Sequence, residues 1–349
     1  MNKIRIQNKL IGEGEPTFII AEAGVNHNGD VELAKKMVDV AKEAGADVVK
    51  FQTFSAEKLV TKDASMASYQ SKNTGIEQSQ QEMLKKLELN YEDFDELKKY
   101  CDKKEIIFLS TPHTEDAADY LDRLLPAFKI GSGDLTNIPY LEKIAKKGKA
   151  MILGTGMGTL DEVQYAVNTV RSQGNDKIII LHCTTNYPCP YEEVNLKVIN
   201  TLKQKVSNCA IGYSDHTLGI LASLAAVAMG AAVIEKHFTV DKSLPGPDHR
   251  SSIDSDELSQ LVSSIRRLET LFGSSDKKPT KSEQKIMKLV RKSIIATMDV
   301  PKDTVLTEEM LTIKRPGTGI QPKDVNKIIG KKTKSFIRKD QVINFEDIQ

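Results

Sequence analysis

Two histidines carry the most informative chemistry in the sequence. His216 closes an apolar run, Ala210 to His216, with Asp215 beside it. His237 lies near the end of a second run, Ala231 to Thr239, two residues after Glu235. Between the runs, Leu218 to Gly230 has the length and the Ala/Leu-rich composition of a helix. If both runs are parallel strands joined by that helix, the two imidazoles emerge at one sheet edge, near enough to share an ion. Two imidazoles with no thiolate nearby in sequence suit a divalent ion of the Mn²⁺, Mg²⁺ or Co²⁺ kind, its other positions filled by water and substrate oxygens. A structural zinc site would ask for four protein ligands.

Lys50 and Lys129 also end apolar runs, and an ammonium in an apolar wall costs several kcal/mol unless it meets a counter-charge. With the hydroxyls of Thr111 and Ser132 and the Gly131-Ser132-Gly133 backbone, these lysines suit a phosphate cradle. The competing reading is an internal ion pair with Glu22, Asp134 or Glu235; the hydroxyl and glycine donors favour the anion. Gln52, Tyr187 and Ser214 stand at comparable positions. Asp248, in the rigid turn Pro245-Gly246-Pro247-Asp248-His249, is placed either to hold a sugar hydroxyl or simply to form the turn. His27, His113, His182 and His249 each read as hydrogen-bonding or orienting residues.

The elements that must position these groups form a repeating unit. Phe18 to Gly24 is a continuous apolar run, as in a strand covered on both faces, and Asp30 to Ala44 follows with helical periodicity and an Asp N-cap. Further strands are expected at Asp47 to Thr53, Ile106 to Thr111, Ala127 to Gly133, Ala150 to Gly156 and Ile178 to Thr184, ahead of the two runs already described. Helices are expected at Tyr91 to Lys104, Ile138 to Lys147, Leu160 to Ser172 and Ser255 to Phe272. Eight alternating units predict a (β/α)₈ TIM barrel over 1–272, with chemistry at the C-terminal ends of the strands. A doubly wound open sheet is the alternative. Met1 to Pro16 reads as a hairpin-like lead-in. Phe54 to Asn90, long and polar, reads as a lid or a disordered segment. Residues 273–286 have linker composition. From 287 to 349 short β-type runs at Ser293 to Ala296, Ile313 to Arg315 and Ser335 to Ile337 predict a small β-rich domain.

Bulk properties exclude several classes of function. The formal net charge of +1 recruits neither nucleic acid nor an acidic membrane, and the absence of Trp argues against a base-stacking platform. From Arg291 onward twelve Lys/Arg face eight Asp/Glu, a net of +4 that leaves −3 for the rest. Cys101, Cys183, Cys189 and Cys209 read as reduced thiols of a cytoplasmic protein. No window approaches the apolar length of a spanning helix.

The motifs AEAGVNHNG (21–29), VVKFQT (48–53), STP (110–112), FKIGSGD (128–134), YSDHT (213–217), EKHFT (235–239), PGPDH (245–249) and KRPGTG (314–319) together resemble the sialic acid synthase family, the N-acetylneuraminate and N,N'-diacetyllegionaminate synthases. The C-terminal module resembles their SAF, or antifreeze-like, domain. The resemblance implies a metal-dependent transferase that condenses phosphoenolpyruvate with the open-chain aldehyde of an N-acetylmannosamine-type sugar, releasing phosphate. It implies that His216 and His237 hold the metal, Mn²⁺ first among the candidates. Lys50, Thr111, Lys129, Ser132, Thr185 and Ser214 would hold phosphoenolpyruvate. Glu22, Gln52, Tyr187, Glu235 and Asp248 would position the sugar or a metal-bound water. Asp134 stands where the family often has a glutamate base, and Gly154 where some members have Ser. The family is typically a domain-swapped homodimer, in which Arg315 would reach the sugar's acyl group. The motifs look nearest to the legionaminate branch, whose sugar is 2,4-diacetamido-2,4,6-trideoxymannose, with N-acetylmannosamine comparably placed. Synthesis of another 2-keto sugar acid, or carbohydrate binding by an inactive barrel, are the alternatives.

Overall fold

Each of the eight apolar runs forms one strand of a single parallel sheet. The computed structural model of the chain describes residues 3–67, 70–71, 75 and 78–349. A leading hairpin pairs β1 (Ile4–Ile6) with β2 (Lys9–Ile11). Its tight turn falls at Gln7 and Asn8, with Gln7 at φ +49°. The barrel strands are β3 (Phe18–Gly24), β4 (Val48–Thr53), β5 (Ile107–Pro112), β6 (Ala127–Ile130), β7 (Ala150–Gly154), β8 (Ile178–Cys183), β9 (Ala210–Asp215) and β10 (Val233–His237).

The pairing of β10 with β3 decides between a closed barrel and an open sheet. Val233 lies opposite Phe18 and His237 opposite Glu22, so the last strand returns to the first. The other neighbours pair in sequence order, while β5 and β6 lie side by side. The first two barrel strands end with their apolar runs and β5 runs one residue past Thr111, while the last five strands stop one to three residues before theirs do. The Gly131-Ser132-Gly133 segment, for example, leaves β6 into a short 3₁₀ turn, Ser132–Asp134.

The amphipathic helices cover the outside as their periodicity demands. Val31–Glu43 buries Ala34, Met37, Val38 and Ala41, and Asp30 caps it by accepting from the N–H groups of Glu32 and Leu33. Leu160–Ser172 and Ser255–Leu271 start with capping boxes, Thr159 with Glu162 and Asp254 with Glu257. One contiguous core results, and the hairpin's Ile4, Ile6 and Ile11 belong to it. Each fully buried aliphatic side chain contributes about 1.5–3 kcal/mol.

Part of the long polar connection after β4 is ordered by burial. Phe54, Met83 and Leu87 form a small apolar cluster with Val25, and helices span Ala56–Leu59 and Gln80–Lys85. Its remaining residues, 68–69, 72–74 and 76–77, lie outside the described ones, and with them the expectation of a lid or disorder.

The chain divides after Phe272, and Gly273–Gln349 form the second compact unit. Lys281–Val290 is helical, so the stretch read as linker by composition holds the start of a helix. Thr280 caps it, and the Glu283 side chain closes the capping box. Beyond it β11 (Ser293–Ala296) pairs antiparallel with β12 (Leu311–Lys314) around a core that includes Ile294, Val300, Ile328 and Ile343. Ser335 to Ile337, expected as a strand, contributes only a bridge between Ile337 and Val300. Among the described residues no helix is long and apolar enough to cross a membrane.

Candidate active site

Strand alternation and register place the polar strand ends around one mouth. On β10, Glu235 and His237 share the interior face and Lys236 takes the other. Register then sets Glu22 beside His237 and Lys50, and Ser214 beside Glu235. A continuous network follows. Ser214 donates to Glu235 Oε1 at 3.0 Å, and Lys129 Nζ lies 3.5 Å from the same oxygen. Lys50 Nζ lies 3.6 Å from Glu235 Oε2 and 2.7 Å from Glu22 Oε2, and it donates to Thr111 Oγ1 at 3.0 Å. Gln52 donates to Glu22 Oε1 at 3.0 Å.

Both lysines therefore have counter-charges within the protein. Glu22 and Glu235 supply them, and Asp134 does not. Asp134 instead accepts from Asn137 at 3.1 Å in its own turn, and burial raises its pKa. The anion reading of the lysines thus requires that a ligand share or displace these carboxylates.

The two carboxylates are driven apart. Burial penalises charge on Glu235, but Lys129, Lys50, His237 and Ser214 outweigh it and bring its pKa to about 2. Glu22 moves up, because burial and the Glu235 charge exceed the pull of Lys50 and Gln52. Glu235 is the fixed anion and Glu22 the group that can hold a proton, an arrangement suited to acid–base work.

Glycines shape a second part of the site. A Cβ on Gly156 would sit 2.1 Å from Thr185 Oγ1 and 2.9 Å from Ser132 Oγ, so both hydroxyls converge on space a side chain would fill. The Gly156 N–H donates to Ser132 Oγ at 3.0 Å. A Cβ at Gly154 would likewise lie 3.0 Å from Ser132 Oγ. Two hydroxyls and an approachable backbone make the cradle expected for a phosphate.

His216 and His237 do come together, with ring centroids 5.4 Å apart at 65°. Tyr187 packs on both, at 5.2 and 4.9 Å, and its hydroxyl is 2.9 Å from Ser252 Oγ. β3 is irregular between Glu22 and Gly24. Gly24 has φ +55°, and a Cβ there would come within 3.3 Å of the His237 ring, so glycine clears room for that imidazole.

The donor set bears on a metal. His216 Nδ1 lies 2.8 Å from the Thr184 carbonyl, and that contact makes Nδ1 the donor. Burial opposes charge on the ring, but Cys183 and the Thr184 carbonyl outweigh it and raise its pKa, so a metal at Nε2 would take the place of a proton. Burial, with His216 and Lys50, holds His237 well below its ordinary pKa. The ring is neutral, and its buried Nδ1 has no hydrogen-bond partner. These two nitrogens fit a divalent ion completed by water and substrate. Among the described residues no cluster of three or more His, Cys, Asp and Glu groups is gathered in ligand geometry.

Neither neighbouring carboxylate joins the histidines. Asp215 faces outward to Lys236, and Glu235 faces the lysines. A thiol, which sequence distance hid, does approach, with Cys183 Sγ 3.8 Å from His216 Nδ1. Asp248 is buried with Oδ1 unpartnered. Burial lifts its pKa to about 6, moderated by His216. Arg315 is exposed in the second unit.

Comparison with known proteins places the chain in a family. The model of the NeuB family matches residues 37–277 and that of the SAF domain residues 291–349. The N,N'-diacetyllegionaminic acid synthase of Legionella pneumophila is 48% identical over 343 residues, covering 97% of this chain and 96% of that protein. The N-acetylneuraminate-9-phosphate synthase of Homo sapiens is 38% identical over 337 residues, covering 96% and 93%. The crystal structure of the N-acetylneuraminic acid synthetase of Leptospira borgpetersenii in complex with citrate matches with a TM-score of 0.73 at 36% identity, covering 81% of this chain and 94% of that one.

Proposed function

The chain belongs to the NeuB family, and we propose that it is a nonulosonate synthase joining phosphoenolpyruvate to 2,4-diacetamido-2,4,6-trideoxymannose, giving N,N'-diacetyllegionaminate and phosphate. The observation that carries the chemistry is the convergence of Lys50, Lys129, Thr111, Ser132 and Thr185 on one barrel mouth with a proton-holding Glu22. The greater identity to the legionaminic acid synthase than to the N-acetylneuraminate-9-phosphate synthase supports the choice of sugar.

In this reading Ser132, Thr185 and the Gly156 backbone take the phosphate, Lys50 and Lys129 balance the remaining charge, and Thr111 and Ser214 add hydrogen bonds. Gln52, Tyr187, Glu235 and Asp248 orient the open-chain sugar; Asp248 offers its unpartnered Oδ1 to a hydroxyl. C3 of phosphoenolpyruvate attacks the aldehyde carbon, and Glu22 gives its proton to the aldehyde oxygen. Water then adds at the C2 cation and loses a proton, for which Asp134 and the re-ionised Glu22 are the candidate bases. Breaking the C2–O bond expels phosphate and leaves the 2-keto acid. A divalent ion on His216 and His237, Mn²⁺ before Mg²⁺ or Co²⁺, supplies Lewis acidity toward the aldehyde. The working form is a homodimer in which Arg315 of one chain meets the sugar on another.

The test is incubation with phosphoenolpyruvate, Mn²⁺ and either the diacetamido sugar or N-acetylmannosamine, following phosphate release and product mass. Release with the first sugar is expected. Faster turnover of N-acetylmannosamine would move the assignment to N-acetylneuraminate, release only with another aldose would move it to another 2-keto acid, and no release with any would refute the reading.

A further inference from the structure

His113 follows β5 directly, in Thr111-Pro112-His113. Its backbone N–H donates to the Thr53 carbonyl at 3.0 Å, extending the β4–β5 ladder one step beyond the strands and fixing the residue at the mouth. The ring meets Phe54 edge-on, with centroids 6.3 Å apart. It also lies against Gly131 of the cradle loop, where a Cβ would come within 3.4 Å of His113 Cε1 and 4.0 Å of Thr111 Cγ2. The residue is only partly buried, and among the described residues neither ring nitrogen has a hydrogen-bond partner in the protein, which leaves both open to solvent or to a ligand at the mouth.

The charged groups acting on the ring are Lys50 from β4 and Lys129 from β6; Phe54 and Gly131, packed against it, are uncharged. Burial and the two ammonium groups hold its pKa down to about 4, so in the free protein it is a neutral ring beside two cations. Burial disfavours the proton throughout, but the share of the penalty due to the two ammonium groups falls away once an anion sits between them and the ring.

We propose that His113 is a ligand-contacting residue of the phosphoenolpyruvate site, whose imidazole takes up a proton as the anion binds and then donates to it. The inference rests on the proposed function and extends it to a residue outside the family motifs. A multiply charged anion seated on Lys50 and Lys129 reverses the field at the ring. An opposite charge brought within about 4–6 Å of the ring favours the charged form by about 1–3 pKa units. The charge-assisted hydrogen bond then made is among the stronger kinds.

The experiment is calorimetric titration of phosphoenolpyruvate into the full chain at pH 6.0, in buffers of differing ionisation enthalpy, for the unaltered protein and His113→Gln. Comparing the two cancels any proton the ligand itself exchanges. The unaltered chain is expected to take up more protons than the variant, by a sizeable fraction of one, and to bind about tenfold more tightly. The sugar KM should not change. Isotope-edited NMR of the six histidines supplies a readout without mutation, since one imidazole should pass from neutral to protonated on adding phosphoenolpyruvate. If phosphoenolpyruvate binds both proteins with equal affinity and equal proton uptake, His113 has no such role and the proposed function stands. If it binds neither, both readings fall.

Discussion

Behind the two histidines, on the outer face of the barrel wall, a buried ion pair ties their strands together, and removing it one partner at a time should be costly. Asp215 and Lys236 are 0% and 1% exposed, with Asp215 Oδ2 3.1 Å from Lys236 Nζ. Asp215 also accepts from the Thr217 N–H and Thr217 Oγ1, both at 2.8 Å, from Ser223 Oγ at 2.6 Å and from Tyr213 OH at 3.3 Å. Lys236 has fewer alternatives, donating otherwise to the Thr217 carbonyl. Asp215→Asn keeps the turn contacts but strands a buried ammonium, so it should cost about 3–5 kcal/mol. Lys236→Met leaves a carboxylate with four neutral donors and should cost less, about 2 kcal/mol. In the double variant neither charge remains, and the coupling should be about 2 kcal/mol or more. Urea unfolding followed by far-ultraviolet circular dichroism measures all three, and 1 M salt should change the coupling little because the pair is dry. The pair flanks His216 and His237 in sequence, so kcat in the folded single variants should fall more than either KM changes. Additive single costs, or a coupling screened away by salt, would show a solvated pair worth under about 1 kcal/mol and refute the reasoning.

Gly156→Ala should turn the Thr185 hydroxyl out of the cradle; the KM for phosphoenolpyruvate is expected to rise about tenfold with the unfolding midpoint nearly unchanged, and an unaltered KM would remove the cradle from the phosphate site. Arg315→Ala is expected to raise the sugar KM far more than that of phosphoenolpyruvate, and equal KM values for variant and parent would remove the swapped-dimer role. Burial, with a minor contribution from His249, outweighs the pull of Asp30 and holds His27 down to about 4 from 6.5, so the unfolded chain binds its proton more tightly. Its contribution to stability is present above about pH 6.5 and lost as the pH falls toward 4, amounting to about 2.5 kcal/mol between pH 7.5 and 4.5. His27→Gln should shrink the measured acid destabilisation by about that amount, and identical losses in both proteins would contradict it.

The second unit shows where composition misleads. Residues 281–286 are as polar as a linker, yet a capped helix begins there, because Thr280 and Glu283 satisfy its first N–H groups whatever the composition. The long segment after β4 is likewise polar overall, and a few apolar residues, Phe54, Met83 and Leu87, order the parts of it that are described.

Sequence alone determined the eight strand–helix units and which residues end their strands. Continuous apolar runs alternating with amphipathic helices require a parallel sheet covered on both faces, and when such a sheet closes into a barrel the polar residues ending each run, Glu22, Lys50, Lys129, Glu235 and His237 among them, gather at one end. What each residue meets there was decided by tertiary structure. The return of β10 to β3 closed the ring, and the registers set Glu22 against Lys50 and turned Asp215 away from the histidine beside it. Proximity between residues far apart in sequence also brought Cys183 to His216 and Gly131 to His113. The reason is physical. Periodicity fixes which face a side chain takes, whereas partners, burial and proton affinity depend on neighbours that only closure and register supply.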